Sequence, residues 1–209
     1  MESRFLNTLL HYIAEHERFN LEMPEARKEY QQMAGGILEN DRDYLARINS
    51  FHNWYILDRP MRSLGMTPLA YFLEYNANSF SQEELNGYRE LANNLHGVFE
   101  LSKRTRTQTW VRDLITGRKY AVEGSEETNH IDPGAVFNSR LFEHSGKWYF
   151  SNYVVPHPAD VAKDIRKAAK RVRKGKADPK PFLFRLALFQ SRWNQYRQFE
   201  SKNIYRFEE

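Results

Sequence analysis

The longest stretch of this chain whose apolar residues alternate, instead of recurring at helical spacing, runs from Val98 to Val155. Its pattern predicts five strands: Val98 to Lys103, Thr107 to Leu114, Lys119 to Glu123, Ala135 to Phe142 and Lys147 to Val154. Thr116-Gly117, Asp132-Pro133-Gly134 and His144-Ser145-Gly146 supply turns between them. Before this region the apolar spacing is helical. A first helix, capped by Ser3, runs to about Phe19 with Phe5, Leu6, Leu9, Leu10 and Ile13 as its stripe. A second starts near Pro24 and stops at Gly35-Gly36, and a third runs from Asn40 or Asp41 towards Leu57. Thr67-Pro68 opens a short helix through Phe72. Ser81-Gln82-Glu83-Glu84 is a capping box for a helix carrying Leu85, Tyr88, Leu91 and Leu95, stopped by Gly97.

After the strands, His157-Pro158-Ala159-Asp160 opens a helix that Gly175 ends. At about 100° per residue, Val161, Ile165, Ala168 and Val172 fall within an arc of roughly 60°. Lys163, Arg166, Lys167, Lys170, Arg171, Arg173 and Lys174 occupy the opposite half. Pro181 begins a last helix with Phe182, Leu186, Phe189, Trp193 and Tyr196 on one stripe, which would anchor the basic helix, together with the acidic N-terminal region. The expected fold class is α+β: a helical region (1-97), a small antiparallel β-barrel or sandwich of about five strands (98-156) and a C-terminal helical pair (157-209), in one unit with the rest.

Composition adds limits. The 209 residues include 14 Phe, 12 Tyr and 4 Trp, enough apolar area for a core despite a mean hydropathy of -0.76. Without cysteine there are no disulfides and no thiolate metal sites or nucleophiles, which suits a reducing compartment. No run approaches the roughly 20 apolar residues of a membrane span, and no leader pattern opens the chain, so a cytoplasmic protein is expected. Charge is uneven: net -5 over 1-97, +1 over 98-156, +6 over 157-181 and +2 over 182-209. An acidic front and basic rear can pair within the fold, or the rear can face a polyanion.

Phe51-His52-Asn53-Trp54-Tyr55, Gly65-Met66-Thr67-Pro68-Leu69, Val111-Arg112-Asp113-Leu114-Ile115-Thr116-Gly117 and Pro133-Gly134-Ala135-Val136 resemble a pattern in uncharacterised bacterial proteins with a helical region before a small β region. The resemblance covers residues 45 to 155 and implies architecture, with no function attached. Some such proteins are similar to chains ending in a cysteine-rich zinc-binding tail, and that association does not carry over to a chain without Cys.

Catalytic and metal motifs fail on spacing. His11, Glu15 and His16 form H-x-x-x-E-H, and histidines five apart diverge by about 140° on a helix. Asp41 and Asp43 resemble a calcium loop, but Leu45 stands where its third ligand belongs. No Gly-rich phosphate loop or nucleophile elbow occurs, and no cofactor is expected. The arginines before Asp113 and Gly117 resemble the cyclic-dinucleotide-binding PilZ barrel, whose R-x-x-x-R and D-x-S-x-x-G differ in both halves from Arg104-Thr105-Arg106 and Asp113-Leu114-Ile115-Thr116-Gly117.

Two features remain. Alternation places Arg104, Arg106, Gln108, Trp110 and Arg112 on one strand face, the guanidinium-and-aromatic mixture that single-stranded nucleic acid uses. A solvated face with Arg stems covering Trp110 accounts for the same pattern. The seven cations of the basic helix suit phosphates, or equally a solvent face. The expectation is a non-enzymatic nucleic-acid-associated protein, with RNA or the ribosome as partner. The competing ones are a protein-interaction or regulatory module anchored by Trp54, Trp110 or Trp148, and a divergent cyclic-dinucleotide-binding barrel; an enzyme would require a pocket with converging carboxylates or histidines.

Overall fold

The computed structural model describes residues 2-124 and 126-207. Five helices lead: α1 (Glu2–Glu15), α2 (Glu17–Ala34), α3 (Tyr44–Leu57), α4 (Pro68–Tyr75) and α5 (Gln82–Glu90). Then come β1 (Asn94–Arg104), β2 (Gln108–Asp113), β3 (Lys119–Glu123), β4 (Val136–His144) and β5 (Lys147–Pro156), followed by α6 (Ala162–Gly175), α7 (Lys180–Gln195) and α8 (Ser201–Ile204). This is the expected α+β class, with eight α-helices among the described residues and a mixed five-stranded sheet.

Local signals acted where the sequence placed them in two helices. Thr67 accepts from the Ala70 amide at 3.2 Å at the start of α4, and Ser81 and Glu84 complete the capping box of α5. Others acted differently. Ser3 lies inside α1, the chain breaks at His16, whose extended backbone opens α2, and Asn20 donates to the Ala14 carbonyl at 2.8 Å. Pro24 sits inside α2, which continues because Phe19, Ala26, Tyr30 and Ala34 bury one face. Towards the sheet, α5 stops early because Asn94 Nδ2 donates to the Leu91 carbonyl at 2.9 Å, so Leu95 and Gly97 belong to β1. A Cβ at Gly97 would lie 2.8 Å from the Phe99 ring; the glycine makes room for that ring and stops no helix.

The sheet closes on itself in the order β1-β2-β3-β5-β4, because β1 pairs with β4 over Asn94 to Glu100 and with β2 over Phe99 to Arg104. The expected all-antiparallel arrangement fails at one seam: β3 and β5 run parallel, with Val122 opposite Trp148. Arithmetic demands it, since strands around a closed ring can alternate direction throughout only if their number is even. Phe99, Leu101, Val111, Val122, Phe137 and Leu141 fill the interior.

Two further clusters hold the helices. Leu6, Leu9, Phe19, Phe51, Tyr55 and Phe72 centre the N-terminal one. In the other, the inner face of α6 (Val161, Ala162, Ile165, Ala169) meets Val98, Leu114 and Val136 of the sheet and Leu183, Leu186 and Phe189 of α7. No described residue of the N-terminal region belongs to this cluster, so the expected support of α6 by acidic helices is replaced by the sheet. Helix α7 reaches both sides. Gly35, at φ +86°, lies where a Cβ would be 2.6 Å from that of Ser191, and Arg47 donates to the carbonyls of Gly36 (2.8 Å) and Ala187 (3.3 Å).

Helix α3 joins the sheet through a buried charge. Arg140 on β4, 1% exposed, donates to both carboxylate oxygens of Asp58 and to Asn94 Oδ1. Asp58→Asn is expected to cost about 3–5 kcal/mol in urea unfolding, because it strands a buried cation. Replacing both partners, as Asp58→Leu with Arg140→Met, should restore most of that loss.

A second prediction concerns pH. His157 is buried between Tyr205 Oη (3.0 Å) and Asn138 Oδ1 (3.1 Å), and burial lowers its pKa from 6.5 to about 3. As pH falls, the unfolded chain takes up this proton near 6.5 and the folded chain only near 3. The histidine's contribution is therefore complete above 6.5 and declines by up to about 1.4 kcal/mol per pH unit below it. Urea midpoints between pH 6.5 and 5, above the carboxylate range, should fall in the native chain and fall less steeply in His157→Gln.

Candidate nucleic-acid interface

Alternation along β2 turns Thr109, Val111 and Asp113 inward and leaves Trp110 and Arg112 outward. Register then decides their neighbours. Trp110 stands between Lys103 on β1 and Ala121 on β3, and Arg112 between Glu100 and Lys119. Lys103 Nζ lies 5.3 Å from the centroid of the Trp110 ring, and the small Ala121 leaves the other flank of that ring low. Gln108, at the start of the strand, is bound to Glu123 at 2.9 Å.

Arg104 is not part of this face. The register shifts between Leu101 and Lys103, so Ser102 and Lys103 both point outward and Arg104 turns under the sheet. There its Nη1 donates to the carbonyls of Thr128 and Ile131, the latter at 2.8 Å, fastening the β3–β4 connection. Arg106 also leaves the strand; it is exposed in the loop between β1 and β2. Asp113 accepts from the Ile115 amide at 2.9 Å and the Thr116 amide at 3.3 Å, and Gly117 takes φ +80°. Of the residues that resembled the cyclic-dinucleotide motif, Asp113 and Gly117 thus shape a turn and Arg104 clasps a loop.

Helix α6 lies against the same side of the sheet. Arg166, the partly buried cation of its outer half, meets Glu100 at 2.9 Å and the Gly134 carbonyl at 2.8 Å. The other oxygen of Glu100 holds Arg112 at 3.2 Å, so one carboxylate couples helix and strand. At the far end, Arg173 lies over the β2–β3 turn, 2.5 Å from where a Gly117 Cβ would be. Lys163, Lys167, Lys170, Arg171, Arg173 and Lys174 are exposed, and none has an ion pair among the described residues. Buried inward are Val161, Ala162, Ile165, Ala168 and Ala169, with Val172 only partly covered as the helix end leaves the sheet.

The structure therefore brings Trp110, Arg112, Arg166 and Arg173 onto one surface, adds Lys103 and Lys119, and removes Arg104. Lys103 and Lys119 were visible as residues, but only cross-strand register places them beside Trp110 and Arg112. Trp148 is partly buried and packs edge-on against Tyr120 at 5.0 Å, and Trp54 is 9% exposed. Among the described residues no group of three or more His, Cys, Asp or Glu is arranged to hold a metal ion, and no helix is long and apolar enough to cross a membrane. No protein-family model, curated protein or solved structure matches the chain.

Arg104→Ala should cost roughly 1.5–3 kcal/mol, the range for hydrogen bonds from a charged donor, and should speed amide exchange across residues 126-131. Glu100→Gln, which releases only part-exposed pairs, should stay within about 1 kcal/mol of the native chain. Equal losses in the two variants would contradict the separate roles given to these residues.

Proposed function

We propose that the protein is a non-enzymatic binder of single-stranded nucleic acid, with RNA as the partner class. The surface is the outer face of β1, β2 and β3 together with the exposed side of α6. The observation carrying this reading is the Glu100 bridge, which makes an aromatic platform and a row of unneutralised cations parts of one surface. Trp110 offers a ring for base stacking, and Lys167, Lys170, Arg171 and Arg173 supply phosphate contacts along the helix. Five-stranded Greek-key barrels as a class use the face of strands 2 and 3 and the loop between strands 1 and 2 for such ligands. That is an analogy of fold, and it supports only the placement, in which Arg106 would occupy the loop. Single strands are preferred to duplex because stacking on Trp110 requires an unpaired base, and unpaired loops are where proteins read RNA.

Titration of labelled single-stranded RNA, single-stranded DNA and duplex DNA at several salt concentrations tests the reading. Trp110→Ala should weaken single-strand binding by about 1–3 kcal/mol and leave duplex binding little changed. Neutralising Lys167, Lys170, Arg171 and Arg173 together should flatten the dependence of log K on log salt by about 3, at roughly 0.7 per lost phosphate contact. Glu100→Gln should tighten binding, since it removes an anion from the middle of the site. Absence of binding at low salt, or binding unchanged in the fourfold variant, would sink the proposal.

A further inference from the structure

A second surface, independent of the nucleic-acid reading, lies on the other flank of α7. Arg185, Leu188, Phe189 and Arg192 fall at i, i+3, i+4 and i+7 and so line one side of this helix, and Tyr196 follows just past its C-terminus. Phe199, Ile204 and Arg206 from the following segment form the opposite wall of an open groove of about 880 Å³. That wall is fixed. Tyr205 hydrogen-bonds His157 and packs on Phe189 with ring centroids 5.3 Å apart, Phe207 packs on Phe189 at 5.5 Å, and Ser201 donates to Asp160.

The groove combines two unspent features. Its cations are free: among the described residues, the guanidiniums of Arg185, Arg192 and Arg206 have no ion pair or hydrogen bond, whereas Arg47, Arg59, Arg62 and Arg140 are all held. Two of its aromatic residues are uncovered: Tyr196 is 49% and Phe199 55% exposed, with centroids 6.5 Å apart, and Leu38, 44% exposed, borders the same tyrosine on its far side. Contiguous apolar surface with a charged rim marks an interaction site on a folded protein.

We propose that this groove docks an acidic amphipathic helix of a partner protein. Charge complementarity selects the sign, since guanidinium forks match carboxylates in pairs of parallel hydrogen bonds. The floor selects the form. Leu188, Phe189 and Ile204 accept apolar side chains, while the Tyr196 and Phe199 rings, inclined at 58°, make no parallel stack for successive bases. Spacing sets the pattern: Arg185 and Arg192 are seven residues apart, about 10.5 Å along the axis, so the docked helix carries carboxylates at i and i+7 with apolar residues at i+3 and i+4 between them.

The test uses the full chain and fluorescence anisotropy of labelled synthetic 18-residue peptides, a set with Glu at i and i+7 and Leu or Phe at i+3 and i+4, each with a scrambled control. Patterned peptides should bind and scrambled ones should not. Arg185→Glu with Arg192→Glu should weaken binding at least 30-fold at unchanged melting temperature, as expected for exposed side chains, and peptides with Lys in place of Glu should bind that variant. Tyr196→Ala with Phe199→Ala should lose a comparable factor. If no patterned peptide outperforms its scrambled control, the proposal is wrong. It is equally wrong if a single-stranded oligonucleotide displaces the peptides and Arg185→Glu with Arg192→Glu weakens the oligonucleotide instead, for the groove would then extend a nucleic-acid surface. Loss of oligonucleotide binding in the α6 variants has no bearing on it, which keeps the two proposals separable.

Discussion

A guanidinium taken out of water must be met by a carboxylate and neutral acceptors, and Arg140 meets both at the one place where α3, β1 and β4 converge. Asp58 ends α3, Asn94 begins β1 and Arg140 stands in β4, so satisfying this charge fixes where the helical region sits on the sheet. The neighbours adapt to it. Burial, then the positive charge of Arg140, lowers the His96 pKa to about 3, which keeps a second cation out of the junction. Burial raises the Tyr153 hydroxyl to about 12, so the ring next to Arg140 stays neutral. Asn53 and Asn49 reach the Asn152 side chain and carbonyl at 2.9 Å each, continuing the polar seam along β5. Directional contacts of this kind specify one docking geometry where an apolar interface would tolerate several.

Once the sheet is placed, β1 does the rest. It is long enough to pair with β4 at one end and β2 at the other, and Glu100 lies at the change-over, opposite Val136 on β4 and Arg112 on β2. A carboxylate there reaches strand and helix together. The apolar residues behind it, Val98, Leu114 and Val136, give α6 an apolar seat, which Ile165 fills together with Ala162 and Ala169 of its inner face.

Periodicity made local structure legible, and long-range pairing was not. The limits of β3, the caps of α4 and α5 and the cationic face of α6 follow from neighbours within about four residues, and all are where the sequence put them. Arg104 was misplaced because a bulge two residues earlier changes the parity of the strand, and nothing local to Arg104 announces it. Pro24 and Gly97 misled for the opposite reason: each carries a strong local signal that tertiary burial of Tyr30 or the Phe99 ring overrides. The arginines of the α7 groove went unnoticed because their neighbours in space, Phe199 and Arg206, come from a segment that is folded back by long-range contacts such as that of Tyr205 with His157.

Whether the acidic front neutralises the basic rear was open from charge counts, and particular pairs answer it. Glu22, Glu25 and Glu29 on α2 are taken by Arg59 and Arg62, close by in the same helical region. Burial works against the charge of Glu22, but hydrogen bonds from Arg59, Ser63 and Arg62 overcome it and hold the carboxyl at about 2. Asp58 pairs with Arg140, and Glu90 is hydrogen-bonded to His144. No ion pair among the described residues joins the first five helices to α6, whose one anionic partner, Glu100, comes from the sheet. Separated in this way, the two halves cannot cancel at short range, and beyond a Debye length of about 8 Å salt screens what remains. The positive potential over α6 is therefore directed to solvent, open to counter-charge of opposite sign.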